Sequence, residues 1–331
     1  MKKTIFVTGG TGFVGSHLIR LLLEKGHTDI RALRRSSSKM DLVKDFKNRV
    51  SWIEGDILNV PRLEEAMNGV AQVYHCAAMV SFQAQDVAQM MKVNVEGTAN
   101  VVNVAMFCEV EKLIYVSSIA AIGRNANQPD ISEANKWQRS PLNSNYAISK
   151  YQAEQEVWRA SVEGLNVGIV NPSVVLGEGD WSDGSAALFR TVWDGLPYYS
   201  AGATGFVDVK DVVQFMTLLM DSDIVQERFI LNGSNQTFQY FFQQVARQLQ
   251  KKPPTIKITP LLGEIAWRFE WLKSLWTKKR SLITRETVRT SQHSFRYNSQ
   301  KSENAFGFSY TPFEESVART AAAFVSDQQH K

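Results

Sequence analysis

The chain has 331 residues, 44% hydrophobic and 21% charged, an ordinary globular composition that excludes disordered, collagenous and membrane-spanning classes. Its 37 basic and 33 acidic residues leave a net charge of +4, too balanced for an obligate nucleic-acid binder but suited to an anionic small ligand. The two cysteines, Cys76 and Cys108, cannot form a disulfide framework, and their apolar surroundings favour buried, reduced thiols in a reducing compartment.

In chain order, Ile5-Phe6-Val7 predicts a buried strand, residues 13–24 a helix and residues 29–33 a second strand. Residues 50–53 and 70–74 predict two further strands with a short helix between them. A long helical pattern over about 86–107 leads to a strand at 112–116, and a second long helix over 144–162 leads to a strand at 167–170. Strands that alternate with helices imply parallel pairing through crossovers, hence the α/β class with a doubly wound parallel sheet. Beyond Pro172 the alternation loosens: loop signals (Gly177, Gly179, Asp180, Asp183, Gly184) precede a helix near 186–193. A short strand at 206–209, a further helix and a late strand at 228–231 would return to the sheet. The expected division is a dinucleotide-binding part over 1–176, joined by 206–232, and a smaller, discontinuous substrate-binding part from 177–205 and 233–331.

No run of about 18 apolar residues suggests a spanning helix, and glycines interrupt the N-terminal apolar run before a secretory signal could form. A cytoplasmic location is therefore expected. His17, His27, His75, His293 and His330 are scattered, so no metal site is expected. The aromatic segment 261–276, with Trp267, Trp271 and Trp276, reads as core or lid packing, with an apolar substrate wall or a membrane-surface contact as alternatives.

Gly9, Thr11, Gly12, Phe13, Val14 and Gly15 lie in a glycine-rich turn between the first strand and the first helix. Glycines there permit a tight turn, close backbone approach to a pyrophosphate and close helix packing, while the helix N-terminus offers N–H groups to phosphate. The second strand ends in Arg34-Arg35-Ser36-Ser37-Ser38-Lys39, with arginines and no carboxylate. That chemistry suits a 2′-phosphate, so NADP(H) is expected over NAD(H).

Tyr146 and Lys150 are four residues apart and so share one helix face. A phenol with a pKa near 10 is a poor acid–base catalyst at neutral pH, and a neighbouring ammonium would lower it. Ser118 follows the strand ending at 116, at the sheet edge where ligands of open α/β sheets bind. It is expected to hold a substrate oxygen, while turn capping is expected of Ser117.

Together with Gly55-Asp56-Ile57, His75-Cys76-Ala77-Ala78, Asn94 to Thr98, Asn171 to Gly177 and Val207 to Val212, these motifs resemble the extended short-chain dehydrogenase/reductase superfamily. This is the NAD-dependent epimerase/dehydratase family, built on a Rossmann sheet. Within it, residues 93–102 and 116–121 are most similar to dihydroflavonol-reductase and 3β-hydroxysteroid-dehydrogenase-like members. The resemblance implies that Asp56 and Ile57 approach the adenine, Ala77 and Ala78 line the cofactor strand, and Asn94 supports the active-site helix. It also implies that Ser118, Tyr146 and Lys150 form the catalytic set, with Lys150 holding the ribose and Pro172 and Val175 flanking the nicotinamide. Asn171 stands where many relatives have arginine, which weighs against sugar-nucleotide chemistry.

The expected function is NADP(H)-dependent reduction of a carbonyl, or oxidation of a secondary alcohol, in a small to medium, partly apolar substrate. A nucleotide-sugar epimerase or dehydratase is the alternative within enzymes, and a non-catalytic dinucleotide-binding redox sensor the alternative outside them. The partner is a small molecule, with no nucleic acid, and a homodimer remains open.

Overall fold

Strand β1 (Ile5–Thr8) is buried along its whole length, as a strand covered on both faces by helices must be. The computed structural model describes residues 3–125, 128–259, 267 and 284–329. After β1 come α1 (Phe13–Glu24), β2 (Ile30–Arg34), β3 (Ser51–Glu54), α2 (Val60–Met67) and β4 (Gln72–His75). Next are α3 (Val87–Met91), α4 (Gly97–Phe107), β5 (Lys112–Val116), β6 (Asp130–Ile131), α5 (Asn145–Val162), β7 (Val167–Pro172) and β8 (Val174–Leu176). They are followed by α6 (Ala187–Trp193), β9 (Tyr198–Ser200), β10 (Ala203–Asp208), α7 (Val209–Asp221), β11 (Glu227–Leu231), β12 (Ser234–Thr237), α8 (Phe238–Gln248) and β13 (Ile256–Ile258). The last described elements are α9 (Arg285–Ser291), β14 (Arg296–Tyr297), α10 (Gln300–Phe306) and α11 (Phe313–Gln329).

Seven strands pair in the order β11-β7-β5-β4-β1-β2-β3, all parallel. This is the expected doubly wound sheet. The order reverses between β1 and β4, and open α/β sheets bind ligands outside the carboxyl ends of the strands at such a point. Leu18, Leu22, Phe215 and Leu219 of α1 and α7 cover one face, and Leu63, Val101 and Val157 of α2, α4 and α5 cover the other. Burying each such side chain contributes roughly 1.5–3 kcal/mol.

Among the described residues the rest comprises a second sheet, β12-β10-β8, the pairs β13-β9 and β14-β6, and an aromatic cluster around Phe206, Phe241, Phe313 and Phe324. Strand β10 belongs to this smaller sheet, whereas α7 and β11, which follow it, belong to the large one. Val209 opens α7 instead of closing the strand expected at 206–209, because the Asp208 carboxylate accepts from the Lys210 N–H and caps the helix. The helix expected over 86–107 is interrupted: Lys92–Glu96 form a π-turn that carries Asn94 into the interior. Strands β6, β9, β13 and β14 are two or three residues long, too short to show alternation in sequence. No described helix is long and apolar enough to cross a membrane.

Candidate active site

The glycine turn leaves β1 at its carboxyl end. Gly9 has φ +68°, and a Cβ there would lie 2.7 Å from the Ala77 backbone nitrogen. A Cβ on Gly15 would lie 2.2 Å from the Gly9 carbonyl oxygen. No side chain caps α1 at Gly12 and no acidic residue lies in its first turn, so the amides opening the helix face no competing internal anion. A bare-backbone cradle at a helix N-terminus fits a pyrophosphate. Phe13 packs against Gly177 and Gly179 of the segment after β8. That segment is tied over the loop by a hydrogen bond between the His17 ring and the Glu178 carbonyl (2.8 Å) and by the Lys39–Asp180 ion pair (2.8 Å).

Arg34 ends β2 with Arg35 exposed beside it. The β2–β3 register sets Arg34 opposite Glu54, and the guanidinium lies 3.6 Å from that carboxylate. A carboxylate absent from the 31–39 segment is thus supplied by the neighbouring strand, which only the pairing register reveals. Asp56 accepts from the Leu58 N–H (2.9 Å), and buried Ile57 fills the space that a Cβ on Gly97 would occupy.

Ser118, Tyr146 and Lys150 come together where β5 meets α5. Ser144 caps α5 by accepting from the Ala147 N–H (3.1 Å), which sets Tyr146 in the first turn. Burial raises the Tyr146 phenol above its ordinary value, while a hydrogen bond with the Ser118 hydroxyl acts in the opposite sense. Phe82 packs edge-on against the Tyr146 ring at 5.9 Å. Ser118 accepts from the Ala120 N–H (3.2 Å) and so caps the following turn, while Ser117 donates to Glu154 (2.7 Å). The capping role therefore belongs to Ser118, whose extended backbone directly precedes the turn over Ile119–Ile122; its O–H remains able to donate.

Lys150 is buried, and its ammonium donates to the Tyr115 hydroxyl (2.8 Å) and the Val116 carbonyl (2.8 Å). Burial lowers its pKa to about 7, against the opposing pull of Glu154 and Cys76. These two hydrogen bonds run to β5, whereas the sequence pointed to the Tyr146 phenol.

Asn94 donates to the Met79 carbonyl (2.9 Å) and to Ser149 (2.9 Å) and accepts from the Met79 N–H (2.7 Å), joining the loop after Ala77 and Ala78 to α5. Ala77 donates its N–H to Thr8 (3.2 Å), beside the glycine turn. Pro172 closes β7, and the Val175 carbonyl accepts from Ser185 (2.5 Å). The intervening Ser173 carries a buried hydroxyl with no hydrogen-bond partner among the described residues.

Behind the serines lies a network that the sequence did not announce. Glu154 is 1% exposed and accepts from Ser117, from Asn171 (2.8 Å) and from Arg228 (3.1 Å). Asn171 also donates to the Ser118 carbonyl (3.0 Å). Arg228 thus brings a guanidinium from β11 to the same carboxylate that Asn171 bonds. The available signal was Glu154 itself, four residues after Lys150 on the same helix face. Cys76 and Cys108 are free but half-buried, since Cys76 lies in the loop after β4 and Cys108 at the end of α4. The aromatic stretch 261–276 lies, except for Trp267, outside the described residues.

A profile of the NAD dependent epimerase/dehydratase family matches residues 5–231, and the chain belongs to that family, within the extended short-chain dehydrogenases/reductases. A protein described as a sterol demethylase protein B from Methylococcus capsulatus is 31% identical over 300 residues, covering 88% of this chain and 87% of that one. One described as a dihydroflavonol 4-reductase from Synechocystis is 36% identical over 214 residues, covering 64% of this chain and 61% of its own length. The crystal structure of gox2253 superposes with a TM-score of 0.83 at 31% identity, covering 99% of this chain and 98% of that one.

Proposed function

We propose that the protein is an NADP(H)-dependent reductase that interconverts a carbonyl and a secondary alcohol in a small to medium, partly apolar substrate. The observation that carries this reading is the meeting of the Ser118 hydroxyl, the Tyr146 phenol and a buried Lys150 at the carboxyl edge of the sheet. Family membership supports it, as do relatives described as reductases. The cradle of Gly9, Thr11, Gly12, Phe13, Val14 and Gly15 would hold the pyrophosphate. Asp56, Ile57, Ala77, Ala78, Pro172 and Val175 would line the rest of the cofactor, and Arg34 and Arg35 would take its 2′-phosphate. The cofactor, when bound, would supply the hydride for the carbonyl carbon.

In this reading Tyr146 gives its proton to the substrate oxygen, and Ser118 turns its O–H to hold that oxygen. Lys150 offers its remaining N–H to the ribose and stabilises the phenolate left on Tyr146. Residues 177–205 and 233–331 would supply the substrate side, and the protein would work in the cytoplasm.

Turnover of a panel of aldehydes and ketones with NADPH and with NADH tests the reading. One NADPH consumed per alcohol formed is expected. The Arg34→Ala, Arg35→Ala double variant is expected to lose about tenfold to a hundredfold in NADPH affinity with little change for NADH, the worth of charge-assisted hydrogen bonds. Tightly held NAD⁺ with interconversion of a nucleotide sugar would replace this reading with an epimerase.

A further inference from the structure

The ammonium of Lys150 has three N–H groups, and two are committed, to the Tyr115 hydroxyl and the Val116 carbonyl at 2.8 Å each. Those two bonds dictate where the third points. The Val116 carbonyl is backbone and fixed by the sheet, so the adjustable partner is Tyr115, whose ring is fully buried in β5 with the Lys150 nitrogen 4.5 Å from its centroid. A buried phenol needs its own acceptor, and the Thr98 hydroxyl on α4 bonds to it. The Thr98 oxygen lies 3.0 Å from the His75 Nε2, and the His75 Nδ1 lies 2.6 Å from the Thr8 oxygen. Thr8 in turn accepts from the Ala77 N–H (3.2 Å) and directly precedes the glycine turn. His75, Thr98 and Thr8 are all buried.

We propose that Tyr115 is a positioning residue for Lys150, held in place by a buried hydrogen-bonded chain that runs through Thr98 and His75 to Thr8. Burial and the nearby ammonium push His75 down to about 3, so its ring is neutral, with one donor nitrogen and one acceptor nitrogen. Tyr115 accepts from Lys150 and shares a hydrogen bond with Thr98, and the neutral His75 ring bridges Thr98 at Nε2 and Thr8 at Nδ1. The Tyr115 oxygen thereby keeps its lone pairs toward Lys150 and favours the charged lysine. Tyr146 and Glu154 lie one turn before and one turn after Lys150 on its own helix, with His75 at the end of β4 and Cys76 in the loop after it. The inference rests on the reading above only in that Lys150 serves Tyr146, and its test needs no substrate.

The experiment is an NMR titration of protein carrying ¹³C at the lysine ε-carbon, with the Lys150 signal identified by its absence from Lys150→Met. The wild-type midpoint is expected at about 7. Tyr115→Phe keeps the ring but removes the hydroxyl acceptor, and should move that midpoint down by about one unit. Thr98→Val, which leaves Tyr115 and Lys150 untouched, should move it in the same direction by less. An unmoved Lys150 midpoint in Tyr115→Phe overturns the proposal; if that variant does not fold, an unmoved midpoint in Thr98→Val overturns it. Retained turnover in Tyr146→Phe would count against the reaction proposed above and leave this positioning role standing.

Discussion

In the turn of residues 9–15 the working surface is bare backbone, with no side-chain cap on α1 and no room for a Cβ on Gly15. Around Lys150 the opposite holds: the ammonium is surrounded by side chains, with Tyr115 of β5 accepting from it and Glu154 of α5 favouring its charge. An anion is bound by removing side chains so that amides can reach it, whereas a buried cation is held by adding them. The two regions also differ in where their information lies. The turn is contiguous, while the lysine's two hydrogen-bond partners lie on β5, 35 and 34 positions away. His75 joins the regions, because its ring bridges Thr8 at the edge of the turn and Thr98 on the way to Lys150.

The largest expected effect falls on the side-chain region alone. Tyr146→Phe should lower kcat by about a thousandfold, within the range that a positioned general acid contributes, while NADPH affinity stays within a few-fold. Steady-state kinetics paired with cofactor titration measures both, and a variant that kept most of its kcat would remove Tyr146 from the proton step.

Gly15→Ala should produce the reverse pattern. Its Cβ would displace the Gly9 carbonyl, and a misplacement of about 1 Å commonly costs a hundredfold. That loss should appear in NADPH affinity, with kcat at saturating cofactor nearly retained. If kcat fell and affinity did not, the two regions would not be separable as described.

The smallest effect probes the tie between them. The folded-state pKa of His75 is pushed down to about 3, whereas an unfolded histidine titrates near 6.5. Between these values the unfolded chain binds a proton that the folded one refuses, so this group's contribution is present above about pH 6.5 and is lost as pH falls toward 3. Urea unfolding at pH 7 and at pH 4.5 should show wild-type protein losing about 2–3 kcal/mol more than His75→Gln. Equal losses would mean that His75 takes up its proton without leaving its bonds to Thr8 and Thr98.

Much of the site was legible because its residues lie at strand ends that sequence can find. The glycine turn follows a clear strand, and Tyr146 and Lys150 share one helix face. Less legible was everything decided by register or by an unexpected turn. Glu54 meets Arg34 because β3 lies beside β2 with those two residues opposite each other. Asn94 reaches Ser149 from a π-turn that apolar periodicity cannot distinguish from the α-helix around it. Ser118 caps the turn expected of Ser117 because the backbone bends one residue later than composition suggests.

By itself the sequence determined the alternation of strands and helices, the glycine cradle and the spacing of Tyr146 and Lys150, because each is set by residues within a few positions of one another. Only the tertiary structure decided what surrounds Lys150 and the serines. Lys150 meets Tyr115 across 35 positions, His75 meets Thr8 across 67, and Glu154 meets Arg228 across 74. Such pairs form because parallel strands joined by crossover helices bring residues distant in sequence side by side, and no local propensity records which polar groups will find each other there.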